Sequence, residues 1–209
     1  MGCCDHESAT CQSIAASREQ RRVLWLVLVI NLIIFGGEFV AGMLAHSSAV
    51  QGDSLDSLGD ALVYGLSLLV VGGTIRARAG AAAVKGVLQV AFAAAVLVAV
   101  AHRYATGVPP VTPTMAVAAG GALVLNGLCL VLLTRFRRAD LNMRSVWLCS
   151  RNDVVGNAGV LLIAGAIALT GWWWLDLLFG GALAALFLQT GIHVLRAALP
   201  ELRRPSETA

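Results

Sequence analysis

Gly52-Asp53-Ser54-Leu55-Asp56-Ser57-Leu58-Gly59-Asp60 places three carboxylates inside an apolar run that extends from about Ala49 to Thr74. The run is long enough to cross a bilayer as a helix, because about 20 residues span the hydrocarbon. An aspartate near the middle of such a helix costs on the order of 2.5–3.5 kcal/mol, so three of them call for a purpose. Asp56 and Asp60 are four apart and project from one helix face. A second apolar run, about Ser145 to Leu169, carries Cys149 and Asp153 at the same spacing. Two membrane helices that each offer a pair of ligands at i and i+4 can close a four-ligand cation site between them.

Composition supports the membrane reading. The chain has 209 residues, of which 58% are hydrophobic and 13% charged, and its mean hydropathy is +0.79. Ordinary soluble domains carry about twice that share of charge, so the chain reads as an all-α integral membrane protein. Its basic residues are confined to short turns between apolar runs, which argues against a nucleic-acid partner. Cys129 and Cys149 lie in apolar runs, while Cys3, Cys4 and Cys11 crowd the amino end beside Asp5 and His6. That distribution is not a disulfide framework. No signal peptide is expected, since residues 1–22 are polar and the first apolar run is long and contains Glu38. Met1-Gly2-Cys3-Cys4 lacks the Ser or Thr that a myristoylation signal needs where His6 stands.

The apolar runs predict six helices, at about Val23–Ala45, Ala49–Thr74, Gly86–Ala101, Thr114–Leu133, Ser145–Leu169 and Leu175–Leu199. The third is the shortest unless it begins among the alanines at 81–83. A proline-rich break, Tyr104–Pro113, separates the third from the fourth. The expected organisation is a cytoplasmic tail, 1–22, a six-helix transport domain, 23–199, and a short cytoplasmic tail, 200–209. Arg18, Arg21, Arg22, Arg76, Arg78, Lys85, Arg135, Arg137, Arg138, Arg144, Arg196, Arg203 and Arg204 all fall on one side of this arrangement. The positive-inside rule makes that side, and both termini, cytoplasmic. Only Arg103 falls in an outer turn and only Arg151 inside a span. Asn31 precedes Asp56 and Asp60 by about one helix, as Asn126 precedes Cys149 and Asp153, a faint echo of an inverted repeat.

Three aspartates and a thiolate suit tetrahedral zinc or a zinc-like ion. Sodium and potassium sites favour uncharged oxygens, and magnesium keeps its waters. Paired carboxylates in a low dielectric repel each other, so one holds a proton until a divalent ion displaces it. Exchange of metal for protons follows from these residue types.

The residues also carry a resemblance. Asp53-Ser54-Leu55-Asp56-Ser57-Leu58-Gly59-Asp60 is similar to the helix-2 pattern Asp-Ser/Ala-x-His/Asp-x-x-x-Asp of the cation diffusion facilitator family. Asn142-Met143-Arg144-Ser145 followed by Cys149-x-x-x-Asp153 resembles the family's helix-5 pattern, with Cys149 where the family has His or Asp. Asn31, Glu38, Gly42, Asn126 and Asp176 also stand where similar residues recur, and the likeness covers roughly residues 20–199. It implies a homodimeric secondary transporter that exports a divalent metal ion, zinc foremost and cadmium or cobalt next, in exchange for protons. It implies no resident cofactor, membrane lipid as surroundings and, by default, a bacterial plasma (inner) membrane. The cysteine tilts preference towards softer ions and away from manganese. The chain ends about ten residues after helix 6, where the family usually continues into a ferredoxin-like cytoplasmic domain; Cys3, Cys4, His6 and Cys11 are candidates for a metal-capturing arm in its place.

Asp56, Asp60, Cys149 and Asp153 are therefore the expected ligands, with Asp53, Glu38, Asn31, Asn152 and Asn157 in support or along the entry path. The plain alternatives are a polar interhelical clamp for the aspartates, an ion pair of Asp153 with Arg151, and simple packing for Cys149 and Cys129. Two other functions compete. An intramembrane aspartyl protease needs Tyr-Asp and Gly-x-Gly-Asp settings, whereas the contexts here are Gly59-Asp60-Ala61 and Asn152-Asp153-Val154. A non-transporting metal sensor or partner subunit is the stronger rival.

Overall fold

The computed structural model describes residues 3–70, 75–138 and 141–203, and every regular element among them is an α-helix. The helices are α1 (Cys3–Leu44), α2 (Ser48–Val70), α3 (Ile75–Thr106), α4 (Thr112–Thr134), α5 (Leu141–Thr170) and α6 (Trp174–Arg203). α3 starts eleven residues before Gly86. Ala77, Ala79, Ala81, Ala82 and Ala83 are the strongest helix formers, so the helix continues where the apolar run does not. α1 likewise begins ahead of the apolar run at Val23. The break before α4 is shorter than Tyr104–Pro113. Gly107 closes α3 in the left-handed region at φ +64°, and Pro113 sits in the first turn of α4, where a missing N–H costs nothing.

Among the described residues, five stretches are long and apolar enough to cross a membrane: Arg18–Leu44, Ala83–Thr106, Thr112–Thr134, Val146–Thr170 and Trp174–Pro200. α2 matches them in length but carries Asp53, Asp56 and Asp60. The distribution of polarity is inverted relative to a soluble bundle. Val117, Leu162 and Leu169 are 77%, 75% and 89% exposed, while Asn31, Asn126 and Asn157 are 0%, 0% and 1% exposed. Such a surface is stable only against hydrocarbon.

α2 lies at the centre and packs against each of the other five helices. α1, α4 and α5 surround one side of it, and α3 pairs with α6 on the other. The α3–α6 pair is close because Gly86 and Gly191 face each other; a Cβ at Gly191 would stand 2.9 Å from the Gly86 carbonyl oxygen. Along α1, α2 and α5 two apolar clusters bracket a polar stretch. One contains Val27, Ile34, Tyr64, Leu133 and Val146, the other Ala45, Val50, Met115, Val160 and Ile167. Between them in sequence stand Glu38, Asp53, Asp56, Asp60, Cys149, Asp153 and Asn157.

Hydrogen bonds gather the three tight turns at one end. The Ser47 N–H donates to Gly42 O at 3.0 Å and the His46 N–H to Met43 O at 3.2 Å, the paired closure that ends a helix on a left-handed residue, here His46 at φ 52°. Val111 N–H donates to Ala45 O at 2.8 Å, which ties the α3–α4 connection to the α1–α2 turn. Asp176, at the start of α6, joins them. Its carboxylate accepts from the Ser47 hydroxyl, from the Ser48 N–H and hydroxyl, both at 2.7 Å, and from the Ala49 N–H at 3.2 Å.

Candidate metal-binding site

Asp53, Asp56, Asp60 and Tyr64 fall at offsets of three, four and four along α2 and so form one stripe. The stripe faces the bundle interior: Asp53 is 3%, Asp60 7% and Tyr64 0% exposed, and Asp56 is partly buried. Tyr64 Oη donates to Asp60 Oδ2 at 2.8 Å. Across the interface with α5, the Asp60 carboxyl comes within hydrogen-bonding reach of Cys149 and Asp153, and Asp56 interacts electrostatically with Asp60, Cys149 and Asp153. The four expected ligands are thus neighbours. Among the described residues, no three His, Cys, Asp or Glu side chains converge closely enough to hold a metal ion as they stand.

α5 approaches α2 where it lacks a side chain. A Cβ at Gly156 would lie 3.3 Å from Asp53 Oδ1. Asp153, one turn away, is 5% exposed, and its Oδ2 has no hydrogen-bond partner. Arg151 does not pair with it. The guanidinium is exposed, lies 5.8 Å from the centre of the Trp147 ring and donates to Asn152 Oδ1 at 3.4 Å. Asn152 is consequently exposed and apart from the carboxylates. Asn157 is buried, with Nδ2 donating to Asp153 O at 2.8 Å and Oδ1 unpartnered. Asn31 Nδ2 donates to Val27 O at 2.9 Å, again leaving Oδ1 unpartnered. Glu38 is 3% exposed and neither of its oxygens has a partner.

The interior is strongly acidic. The ion pair found among the described residues, Arg135 with Glu19 at 2.7 Å, is on the surface. The basic side chain that acts on the site is Lys85 of α3, partly buried, which interacts electrostatically with Asp56, Asp60 and Cys149. Buried carboxylates require pairing, protonation or a metal. Cys129 is fully buried within the apolar cluster around Leu133 and Val146, as packing requires. The side chains of Cys3, Cys4, His6 and Cys11 lie outside the described ones.

Tyr64 escaped the sequence reading: it stands four after Asp60, a spacing that announces contact, but a tyrosine in an apolar run reads as bulk. Asp176 was singled out by the resemblance alone; that it caps a turn more than a hundred residues away was not visible.

A family model, the cation efflux transmembrane domain, matches residues 24–203. No curated protein matches the chain. The matched segment contains α2 and α5 and every buried acid described above, and the members of the family move metal cations across membranes. The chain belongs to the cation efflux family, the cation diffusion facilitators.

Proposed function

We propose that the protein is a secondary transporter that exports a divalent transition-metal ion, zinc or cadmium in character, from the cytoplasm in exchange for protons. Asp56, Asp60, Cys149 and Asp153 bind the cargo. The observation that carries this reading is the meeting of Asp60 with Cys149 and Asp153 across the α2–α5 interface, buried and without an ion-pair partner. The donor set is three oxygens and a sulfur, which fits zinc or cadmium better than manganese or magnesium. Closing it around a cation takes a small shift of α2 against α5, and the alternating exposure of the site to either side uses the same interface. Cation entry displaces protons from the carboxylates, which couples the two fluxes.

The working topology has six crossings. α2 runs back from the turn end over 23 residues, about 34 Å at 1.5 Å per residue, enough for a hydrocarbon core of about 30 Å. Both termini and the arginine-rich ends are then cytoplasmic, in a bacterial plasma membrane, and the working assembly is a homodimer.

Reconstitution in vesicles with an imposed pH gradient tests the reading. Zinc and cadmium flux should follow the gradient, fall to background in Asp60→Asn and Asp153→Asn, and shift from cadmium towards zinc in Cys149→His. Tight metal binding that needs Asp60 and Asp153, with no flux of zinc, cadmium, cobalt or manganese, would instead identify a sensor or partner subunit.

A further inference from the structure

Glu38 is the buried ionisable side chain that α1 contributes to the interior among its described residues. It is 3% exposed, and no hydrogen-bond donor stands at bonding distance from either Oε1 or Oε2. The polar side chains that face it are Asp53 and Ser57 of α2. Asp53 is itself 3% exposed, and its Oδ2 also lacks a partner. Three oxygens of two buried carboxyl groups, from different helices, therefore point at one another with no basic group between them.

The pair adjoins the four-ligand group on the side of the turn end: Asp53 precedes Asp56 by three residues and Asp60 by seven, about 4.5 and 10 Å along the helix axis, and Asp56 acts electrostatically on Glu38. Glu38 also lines an otherwise almost wholly apolar groove of about 340 Å³ between α1 and α4, with Ile33, Ile34, Val117 and Leu125 among its neighbours there, and it is the ionisable side chain of that groove. Two neighbouring carboxylates form a hard, oxygen-only donor set that a divalent cation satisfies. Ser57 offers this pair a single hydroxyl, fewer donors than polar packing would set against three buried oxygens.

We propose that Glu38 and Asp53 form a second divalent-cation site that takes the cargo from the Asp56, Asp60, Cys149 and Asp153 group on its way to the turn end. The assignment of a direction rests on the transport reading; the site itself does not. Its ligands are fewer and harder than those of the sulfur-containing group, and its remaining positions are filled by water. It binds zinc or cadmium more weakly and releases them faster. A relay of one strong and one weak site lets the cation leave without crossing an uncompensated apolar layer.

Cadmium titration of the purified full chain tests this, in a background with Cys3, Cys4 and Cys11 changed to serine and His6 to alanine. Calorimetry counts binding events, and ultraviolet absorption of the cadmium–thiolate bond marks the one that involves Cys149. The expected result is one absorbing event and one weaker, silent event. Glu38→Gln and Asp53→Asn each remove the silent event and keep the absorbing one, its affinity shifted through Asp56; Glu38→Asp retains both. Asp153→Asn removes the absorbing event and leaves the silent one. A Glu38→Gln chain that keeps both events, or loses both together, overturns the second site. Absence of the absorbing event from every chain, with the silent event still dependent on Glu38, would refute the four-ligand reading and leave the second site standing.

Discussion

Tyr64 donates the hydrogen bond that holds Asp60 in place, at 2.8 Å and with no exposure to solvent. Phenylalanine fills the same volume and removes only the hydroxyl. A hydrogen bond to a charged group contributes about 1.5 kcal/mol net, so Tyr64→Phe should weaken zinc binding about tenfold while the helix stripe stays packed. Isothermal titration checks it; an unchanged affinity would mean that Asp60 is oriented by α5 alone. The contrast with Asp60→Asn, which removes a ligand, separates orientation from ligation. The acids themselves were legible from sequence because a carboxylate in an apolar run has few reasons to exist. Their partners were less so. Glu38 read as support for the ligands or part of the entry path, because sequence shows the acid on α1 but not that Asp53 neighbours it. Asn152 read as a companion of Asp153, although its position one step round the helix turns it to Arg151.

Asp176 does for α2 what a local cap usually does for its own helix. The first N–H groups of a helix have no intrahelical acceptor, and here a carboxylate from α6 accepts from Ser48 and Ala49 while Ser47 Oγ accepts from the Val50 N–H at 3.1 Å. The negative charge also complements the positive end of the α2 dipole. Gly180 makes room for this, since a Cβ there would stand 2.9 Å from Ser48 Oγ. Asp176→Ala should therefore cost about 2–4 kcal/mol, the sum of a lost cap and of donors left buried without acceptors. Denaturation in mixed micelles reads this directly; a loss below about 0.5 kcal/mol, typical of exposed sites, would show that water replaces the carboxylate. The helices α4, α5 and α6 could be placed to within a few residues, since apolar runs and turn signals coincide there. α3 could not, because its alanine-rich first turns continue the helix past the apolar boundary.

The distribution of charge over the whole bundle has a consequence for how the molecule sits in its bilayer. The turn end carries Arg103, which is tethered by Nη2 to Gly42 O at 3.3 Å, and the opposite end carries Arg135, Arg137 and Arg138 beyond α4 and Arg76 and Arg78 at the start of α3. Translocation of a segment is disfavoured by each lysine or arginine near the end of a span, and on that ground the proposed topology keeps the basic end cytoplasmic. The proposed topology also requires α2 to cross despite its three acids. The turns on either side of α1–α2 and α3–α4 are joined by the Val111–Ala45 bond, and α2 must run from that shared end to the basic one. Single cysteines introduced at Pro109 and at Arg138, both exposed, into a chain whose native cysteines are replaced, distinguish the two faces. A membrane-impermeant maleimide applied to intact cells should label the Pro109→Cys chain and leave Arg138→Cys untouched until the membrane is opened. Labelling of both without permeabilisation would mean that α4 does not cross. The reverse pattern would place the basic end outside and the Glu38–Asp53 pair on the cytoplasmic side of the four-ligand group, where it would meet an exported cation first instead of last.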